Sequence, residues 1–333
     1  MNWRPTSTIE TLRKRSELLS SLRGFFAERE FIEVQTPVLS RDTVVDRHLD
    51  PIAVPVANCQ AKIAIDQPAG TEGDAECMEF YLQTSPEFAM KRLLCADVPA
   101  LYQIAPAFRA AEYGPMHNPE FTMLEWYRAG DDMQAGIALL SDLVQAVTPW
   151  TSAEVMSYQE VFVRYAECDP LADDLGSLIE AATKHCDVAK SFSDDRDDWL
   201  NLLFYECVQP RLGKDRPCVI HGYPATQSAL AKLSAADSRT AERFELFIGG
   251  VELANGYHEL TDSSELRSRN KRVNSEREQD GRPALPEESK LLAAMDDGMP
   301  ASSGCALGVD RLLMILLNAK DIREVLAFPV DRC

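Results

Sequence analysis

Apolar residues recur at helical spacing from near the start of the chain. Ile9, Leu12, Leu19, Leu22 and Phe26 fall three, four or seven apart and predict a helix running to about Glu30. Ser7-Thr8-Ile9-Glu10 reads as its capping box, with Ser7 as N-cap and Glu10 reaching back. The next run, FIEVQTPVLS, is rich in β formers but contains Pro37. Proline removes a ladder donor, so this segment belongs at a sheet edge or bend, where contact with a second chain is allowed.

Residues from about Pro55 to Glu79 mix glycines and acids and read as a hairpin with a long loop. Ser85-Pro86-Glu87 then opens a helix through Leu94, with serine as N-cap, proline at N1 and glutamate at N2. Glu87 suits the positive end of the helix dipole and also suits a binding role; both readings stay open. Val98 to Ala107 predicts a strand ending at Phe108-Arg109. After a loop holding Gly114, Pro115, His117 and Asn118, the run EFTMLEWY resumes as a strand. Its alternation places Phe121, Met123, Glu125 and Tyr127 on one face and Thr122, Leu124 and Trp126 on the other. A carboxylate among large apolar groups is costly unless paired. Such a face suits a pocket that stacks a flat ring and grips an ammonium.

Asp131 or Asp132 caps a helix whose buried stripe is Met133, Ile137, Leu140, Leu143 and Val147. Residues 150–240 carry a weaker pattern: short helices, one over Asp197 to Val208, and a strand near Cys218 to His221, with His185 and His221 as ordinary structural or surface histidines. In ERFELFIGGVELANGYHEL, two strand-like runs flank Gly249-Gly250, a two-residue hairpin turn signal. That register pairs Ile248 with Val251, Phe247 with Glu252 and Glu245 with Ala254. Glu245 and Glu252 then share a face as diagonal neighbours. Converging carboxylates call for a cation, and hard oxygen ligands favour Mg²⁺ where phosphates complete the coordination; a solvated outer face is the alternative. Asn255 and Glu259 follow toward the same strand end. Residues 261–281 predict a very polar, solvent-exposed helix, basic at Arg267, Arg269, Lys271 and Arg272. Finally SSGCALGVDRLLMILLN predicts a strand that turns at Gly308 into an apolar helix. Arg311, in that helix's first turn, opposes the dipole and therefore reads as a ligand for an anion.

Composition narrows the class. The 333 residues are 45% hydrophobic and 26% charged, as in a soluble globular protein. No run of about 18 apolar residues predicts a membrane span, and MNWRPTSTIE lacks an apolar signal core, so a cytoplasmic location is expected. Nine scattered cysteines, an odd number without metal-ligand spacing, fit a reducing compartment. The 34 basic and 53 acidic residues give a net charge of -19, which argues mildly against a large nucleic-acid partner.

Four stretches, in order, resemble the catalytic domain of class II aminoacyl-tRNA synthetases. Glu33-Val-Gln-Thr-Pro37 is similar to the first class motif, Phe108-Arg109 through Tyr127 to the second, and Gly304 to Arg311 to the third. SPEFAMKRLL, HNPEFTMLEWY, GVELANGYHELTD and GCALGVDR are worded in the lysine-type manner. The resemblance implies an α+β fold, a mainly antiparallel sheet flanked by helices, as one catalytic domain over residues 1–333. The helix beginning at about Ser7 leaves out the OB-fold anticodon domain of lysyl-tRNA synthetases. The chain is thus similar to the free-standing branch whose members attach (R)-β-lysine to a lysine side chain of elongation factor P. Ala306 stands where lysyl-tRNA synthetases typically carry glycine, and agrees with that branch.

The resemblance also implies the site. ATP is a co-substrate with Mg²⁺ held by Glu245 and Glu252. Arg109 and Arg311 are the catalytic cations, Arg109 on the α-phosphate and amino-acid carboxylate, and Arg311 with His117 on the outer phosphates. Phe121 stacks adenine, and Ala110, Ala111, Asn118, Leu253 and Gly308 complete the ATP site. Ser85, Pro86, Glu87, Glu125, Tyr127, Asn255, Glu259 and Ala306 form the amino-acid pocket. The first motif implies a homodimer, and the missing anticodon domain argues against tRNA as acceptor. A truncated enzyme charging tRNA and a non-catalytic regulatory paralogue are the rival readings. One departure stands out: the second motif reads Phe-Arg-Ala-Ala, with Ala111 where the family's glutamate contacts the adenine amino group, and Glu112 one place late. We therefore predict weaker nucleotide discrimination. Activation rates with ATP and GTP measure it, and a preference for ATP as sharp as that of a homologue with the glutamate contradicts it.

Overall fold

The structure is a computed structural model that describes residues 3–56 and 78–333. Its helices are α1 (Ile9–Ala27), α2 (Glu87–Cys95), α3 (Met133–Val147), α4 (Tyr158–Tyr165), α5 (Leu175–His185), α6 (Arg196–Leu203), α7 (Ser263–Gln279), α8 (Lys290–Asp297) and α9 (Val309–Leu317). The strands are β1 (Ile32–Glu33), β2 (Leu39–Ser40), β3 (Ala53–Val56), β4 (Met78–Leu82), β5 (Ala100–Phe108), β6 (Glu120–Ala129), β7 (Glu154–Ser157), β8 (Cys218–Pro224), β9 (Thr240–Ile248), β10 (Val251–His258) and β11 (Ser302–Gly308). Eight strands form one sheet in the order β1-β5-β6-β11-β10-β9-β8-β7, and β2-β4-β3 form a small second sheet. The large sheet is antiparallel except at its two ends, where β1 pairs with β5 and β7 with β8 in parallel. The expected α+β architecture is present, and the Pro37 segment does supply an edge strand.

Alternation within the strands divides the sheet into two faces. Leu124 and Trp126 of β6, Phe244 and Leu246 of β9, and Cys305 and Leu307 of β11 point to one side, into the main core with α1, α3 and α9. There Phe26 stacks on Tyr102 with ring centroids 4.6 Å apart. The other face is covered only at its ends. At one end Tyr158, Phe162, Trp199, Ile220 and Phe247 form a core under α4, α5 and α6. At the other, α2 lays Met90 and Leu94 against Leu101 and Tyr127, while Phe88, Leu266, Leu291 and Met295 join α2, α7 and α8. The uncovered middle of that face is the floor of a cavity. Among the described residues, no helix is long and apolar enough to cross a membrane.

Several expectations shift. Thr8, rather than Ser7, caps α1, its hydroxyl accepting from the Thr11 N–H at 3.1 Å. The helix buries Leu18, Leu22, Phe25 and Phe26, so its stripe is rotated and Ile9 stays 71% exposed. The predicted hairpin at 55–79 is flanked by the antiparallel pair β3 and β4, and its loop lies outside the described residues. The helix predicted over Asp197 to Val208 splits into α6 and a π-turn at Phe204–Val208.

The polar helix α7 is the largest correction. One of its faces is buried, with Leu266, Arg269, Asn270, Asn274 and Arg277 inside. These polar side chains satisfy loop backbone groups instead of water. Arg269 donates to the carbonyls of Ala229 and Ala231, both at 2.8 Å. Arg277, 1% exposed, donates to the carbonyls of Asp46, Leu49 and Pro283 and pairs with Asp50. Buried carbonyls need such donors, and a hydropathy pattern cannot distinguish an arginine that serves them from one in solvent.

Candidate active site

The β9–β10 hairpin positions the central residues. Gly249 and Gly250 take φ of +63° and +83°, as the tight turn requires. Val251 faces Ile248 and Glu252 faces Phe247 as expected, but the register then slips: Ala254 pairs with Leu246 and Asn255 with Glu245. The expected pairing of Glu245 with Ala254 is thus replaced, because a β-bulge inserts an extra residue. Leu253 and Ala254 both pack into the main core. Glu252 and Asn255, three apart, consequently share the cavity face with Glu245. Without the bulge, alternation would turn Asn255 to the core side.

The cavity has a volume of about 860 Å³. Ser85, Glu87, Arg109, His117, Asn118, Phe121, Glu125, Tyr127, Glu245, Glu252, Leu253, Asn255, Glu259, Ala306, Gly308 and Arg311 all line it, whereas Pro86, Ala110 and Ala111 do not. Pro86 takes the N-cap position of α2, and the Ala110 N–H donates to the Asp50 carbonyl. Ser85 accepts from the Glu87 N–H at 3.0 Å and donates to Glu125 at 2.8 Å, so one hydroxyl starts the helix and orients a carboxylate.

The two ends of the cavity differ in sign. At one end stand Glu87, Glu125 and Glu259. Tyr127 donates to Glu125 at 2.5 Å, and Lys91 Nζ lies 2.5 Å from both Glu87 and Glu259. Burial raises Glu125 to about 7, with the charge of Glu87 adding to the rise. Burial likewise raises Glu259 to about 8, although Lys91 opposes it. Lys91 itself is raised: burial pulls it down, but the fields of Glu259 and Glu87 outweigh that. Glu259 Oε2 is paired with Lys91, whereas its Oε1 has no protein donor. The Asn255 side-chain oxygen lacks one as well. A β-carbon on Gly304 would sit 2.2 Å from the Tyr127 ring and 2.5 Å from Glu259, so this strand position must lack a side chain. Ala306 pairs with both Glu125 and Asn255 across the floor.

The opposite end is cationic. Arg311 donates to His117 Nε2 at 2.6 Å and to the Glu252 and Met116 carbonyls. Accepting at Nε2 requires a neutral imidazole, and burial, followed by the Arg311 charge, lowers the His117 pKa. Arg109 sits with its guanidinium 5.1 Å over the Phe121 ring and pairs with Glu112 at 3.1 Å, while its buried Nε–H has no acceptor. Glu112 follows the end of β5, so strand alternation does not govern it; it lines the cavity and turns toward Arg109. Arg311 is anchored through its neighbour: Asp310 accepts from the Thr122 N–H at 2.6 Å and from Arg15 of α1.

Glu245 and Glu252 meet the requirement for a cation in part. Burial raises Glu252 to about 7, and Glu245 is the next cause, so the two carboxylates oppose each other. Glu245, however, already accepts from Tyr223 at 2.5 Å and from Arg243. Among the described residues no group of three or more His, Cys, Asp or Glu side chains forms a metal cage. The pair therefore fits Mg²⁺ only where phosphate oxygens and water fill most of its octahedron.

Sequence reasoning missed Arg243 and Lys91. Arg243, Glu245 and Phe247 alternate on β9, so the same two-residue period would have found the arginine. Lys91 lies one turn beyond Glu87 on an apolar helix, where a cation at i+4 is the available signal.

A family model described as tRNA synthetases class II (D, K and N) matches residues 1–332. A protein of Edwardsiella ictaluri named elongation factor P–(R)-beta-lysine ligase is 46% identical over 333 residues, covering 99% of this chain and 98% of its own length. Proteins of the same name from Erwinia tasmaniensis and Enterobacter sp. are 46% and 45% identical, each over 98% of its own length and 100% and 99% of this chain.

The buried carboxylates give a signed pH prediction. An acid with a raised folded-state pKa holds a proton that the unfolded chain has lost, so folded stability falls as pH rises through that window. We expect ligand-free thermal stability to fall between about pH 5 and about pH 8, with a shallower slope in Glu125→Gln, whose amide does not titrate. Equal slopes in thermal melts across this range contradict the assignment.

Proposed function

The chain belongs to the class II tRNA synthetases of the D, K and N group, and from that membership we propose that it is an ATP-dependent ligase that activates (R)-β-lysine and transfers it to a lysine side chain of elongation factor P. The observation that carries this reading is the polarity of a single cavity. One end presents buried acceptor atoms without donors, Glu259 Oε1 and Asn255 Oδ1, and the other a buried Arg109 Nε–H without an acceptor. Ammonium groups suit the first end and phosphates the second.

In the first step a carboxylate oxygen of the amino acid attacks the α-phosphorus of ATP, and the bond to pyrophosphate breaks. In the second, the acceptor amine attacks the acyl carbon, its bond to AMP breaks, and the surplus proton passes to water. The protein's contribution is positioning and charge stabilisation. Arg109 neutralises the α-phosphate and substrate carboxylate, with a planar fork matched to both. Arg311 and neutral His117 take the outer phosphates, and Phe121 supplies the stacking face for adenine. Glu125, held by Tyr127 and Ser85, and Glu259 receive ammonium groups; Asn255 orients the carboxylate. Mg²⁺ held by Glu245 and Glu252 would neutralise phosphate charge. Glu112, already directed at Arg109, leaves the adenine edge to backbone groups, in keeping with Ala111.

The exposed edge strand β1, where Ile32 is 51% exposed, is the surface we assign to a homodimer. A cytoplasmic setting accords with the modification of a translation factor. The family description also covers tRNA charging, against which the net charge of -19 argues mildly.

Pyrophosphate exchange tests the activation step. We expect ATP-dependent exchange that is faster with (R)-β-lysine than with α-lysine. No exchange with any lysine isomer would identify a regulatory paralogue, and preference for α-lysine would favour the tRNA-charging reading.

A further inference from the structure

Lys91 does not line the cavity, yet it contacts two of the three carboxylates that do. It is 2% exposed, in the middle of α2, with Met90 and Leu94 packed on either side of it in sequence. A lysine buried so deeply is unfavourable unless its charge is matched. Here it is matched twice, at 2.5 Å from Glu87 on its own helix and 2.5 Å from Glu259 at the end of β10. Its ammonium also lies 5.8 Å from the Tyr127 ring centroid.

Among the described residues, with the carboxylates ionised as ammonium binding requires, this end holds three carboxylates, Glu87, Glu125 and Glu259, against one ammonium. The remainder is two negative charges, and the substrate class proposed above carries two ammonium groups. We propose that Lys91 is a positioning residue, a fixed internal cation that clamps Glu87 to Glu259 and leaves the pocket the charge that a diammonium amino acid neutralises. This inference rests on the reading of the cavity as a site for such an amino acid.

The alternative is that Lys91 only pins α2 to the sheet. The two differ in what happens when the charge is removed. Without it, Glu259 and Glu125 face Glu87 with no internal cation, so ionising Glu259 and Glu125 becomes harder. Among the described residues, Cys95 on α2, Tyr127 on β6, Tyr257 on β10 and Cys305 on β11 also face this cluster and are neutral in the relevant range, while Asp297 on α8, beside Cys95, has the wrong sign to replace the lysine. Ammonium binding requires ionised carboxylates, so the acidic limb of the binding profile must move to higher pH. A purely structural lysine leaves that limb in place.

The test is equilibrium binding of (R)-β-lysine across pH to the full-length wild type, Lys91→Gln and Lys91→Arg. Absence of binding to the wild type defeats the underlying reading itself. Given binding there, we expect the limb of Lys91→Gln to move up by about one pH unit or more, a loss of about tenfold in affinity near neutrality. Lys91→Arg, which retains the charge, is expected to keep the wild-type limb. An unmoved limb in Lys91→Gln overturns the inference. Should Lys91→Gln be unfolded at neutral pH, recovery of the fold in mild acid, where the orphaned carboxylates are protonated, supports a charge role. Unfolding at every pH overturns it.

Discussion

Three carboxylates buried at one end of a cavity against a single lysine are the constraint on which the rest of this structure depends. Ionised groups removed from water are stable only when paired or hydrogen-bonded, and here the protein supplies part of that pairing. Tyr127 and Ser85 hold Glu125, and Lys91 is shared by Glu87 and Glu259. What the protein leaves unmatched is the charge that the proposed diammonium substrate would neutralise. The surrounding fold makes it persist: α2 is clamped onto β5 and β6 by an apolar cluster, and Gly304 leaves the space that Tyr127 and Glu259 occupy.

The second half of the site is aligned with the first by backbone geometry. A single bulge after Glu252 lets two neighbouring residues enter the core while Glu252 and Asn255 both face the cavity. The anchoring of Asp310 to Thr122 and Arg15 fixes the start of α9, and with it Arg311, against β6 and α1. The cations Arg109, just after β5, and Arg311, in the first turn of α9, and the anions Glu125 on β6 and Glu259, just after β10, are thus held around one sheet, which fixes the distance between the two ends of the cavity.

Much of this was legible in the residues. Strand alternation identified the Phe121, Glu125 and Tyr127 face, the Gly249-Gly250 turn fixed the hairpin, and the helix dipole singled out Arg311. What was not legible depended on tertiary contact. Pairing of Glu245 was misassigned because a bulge leaves no mark in a two-residue period. The polar face of α7 was assigned to solvent because Arg269 and Arg277 bury themselves by serving carbonyls from distant loops. Lys91 was passed over because its two partners come from α2 and β10, and only folding brings these together.

The most direct measurement is the intact mass of elongation factor P after incubation with this enzyme, ATP and (R)-β-lysine. The account predicts a gain of one β-lysyl group on the protein, dependent on ATP and smaller in yield with α-lysine. An unchanged mass on elongation factor P, accompanied by aminoacylated tRNA in the same preparation, would contradict it.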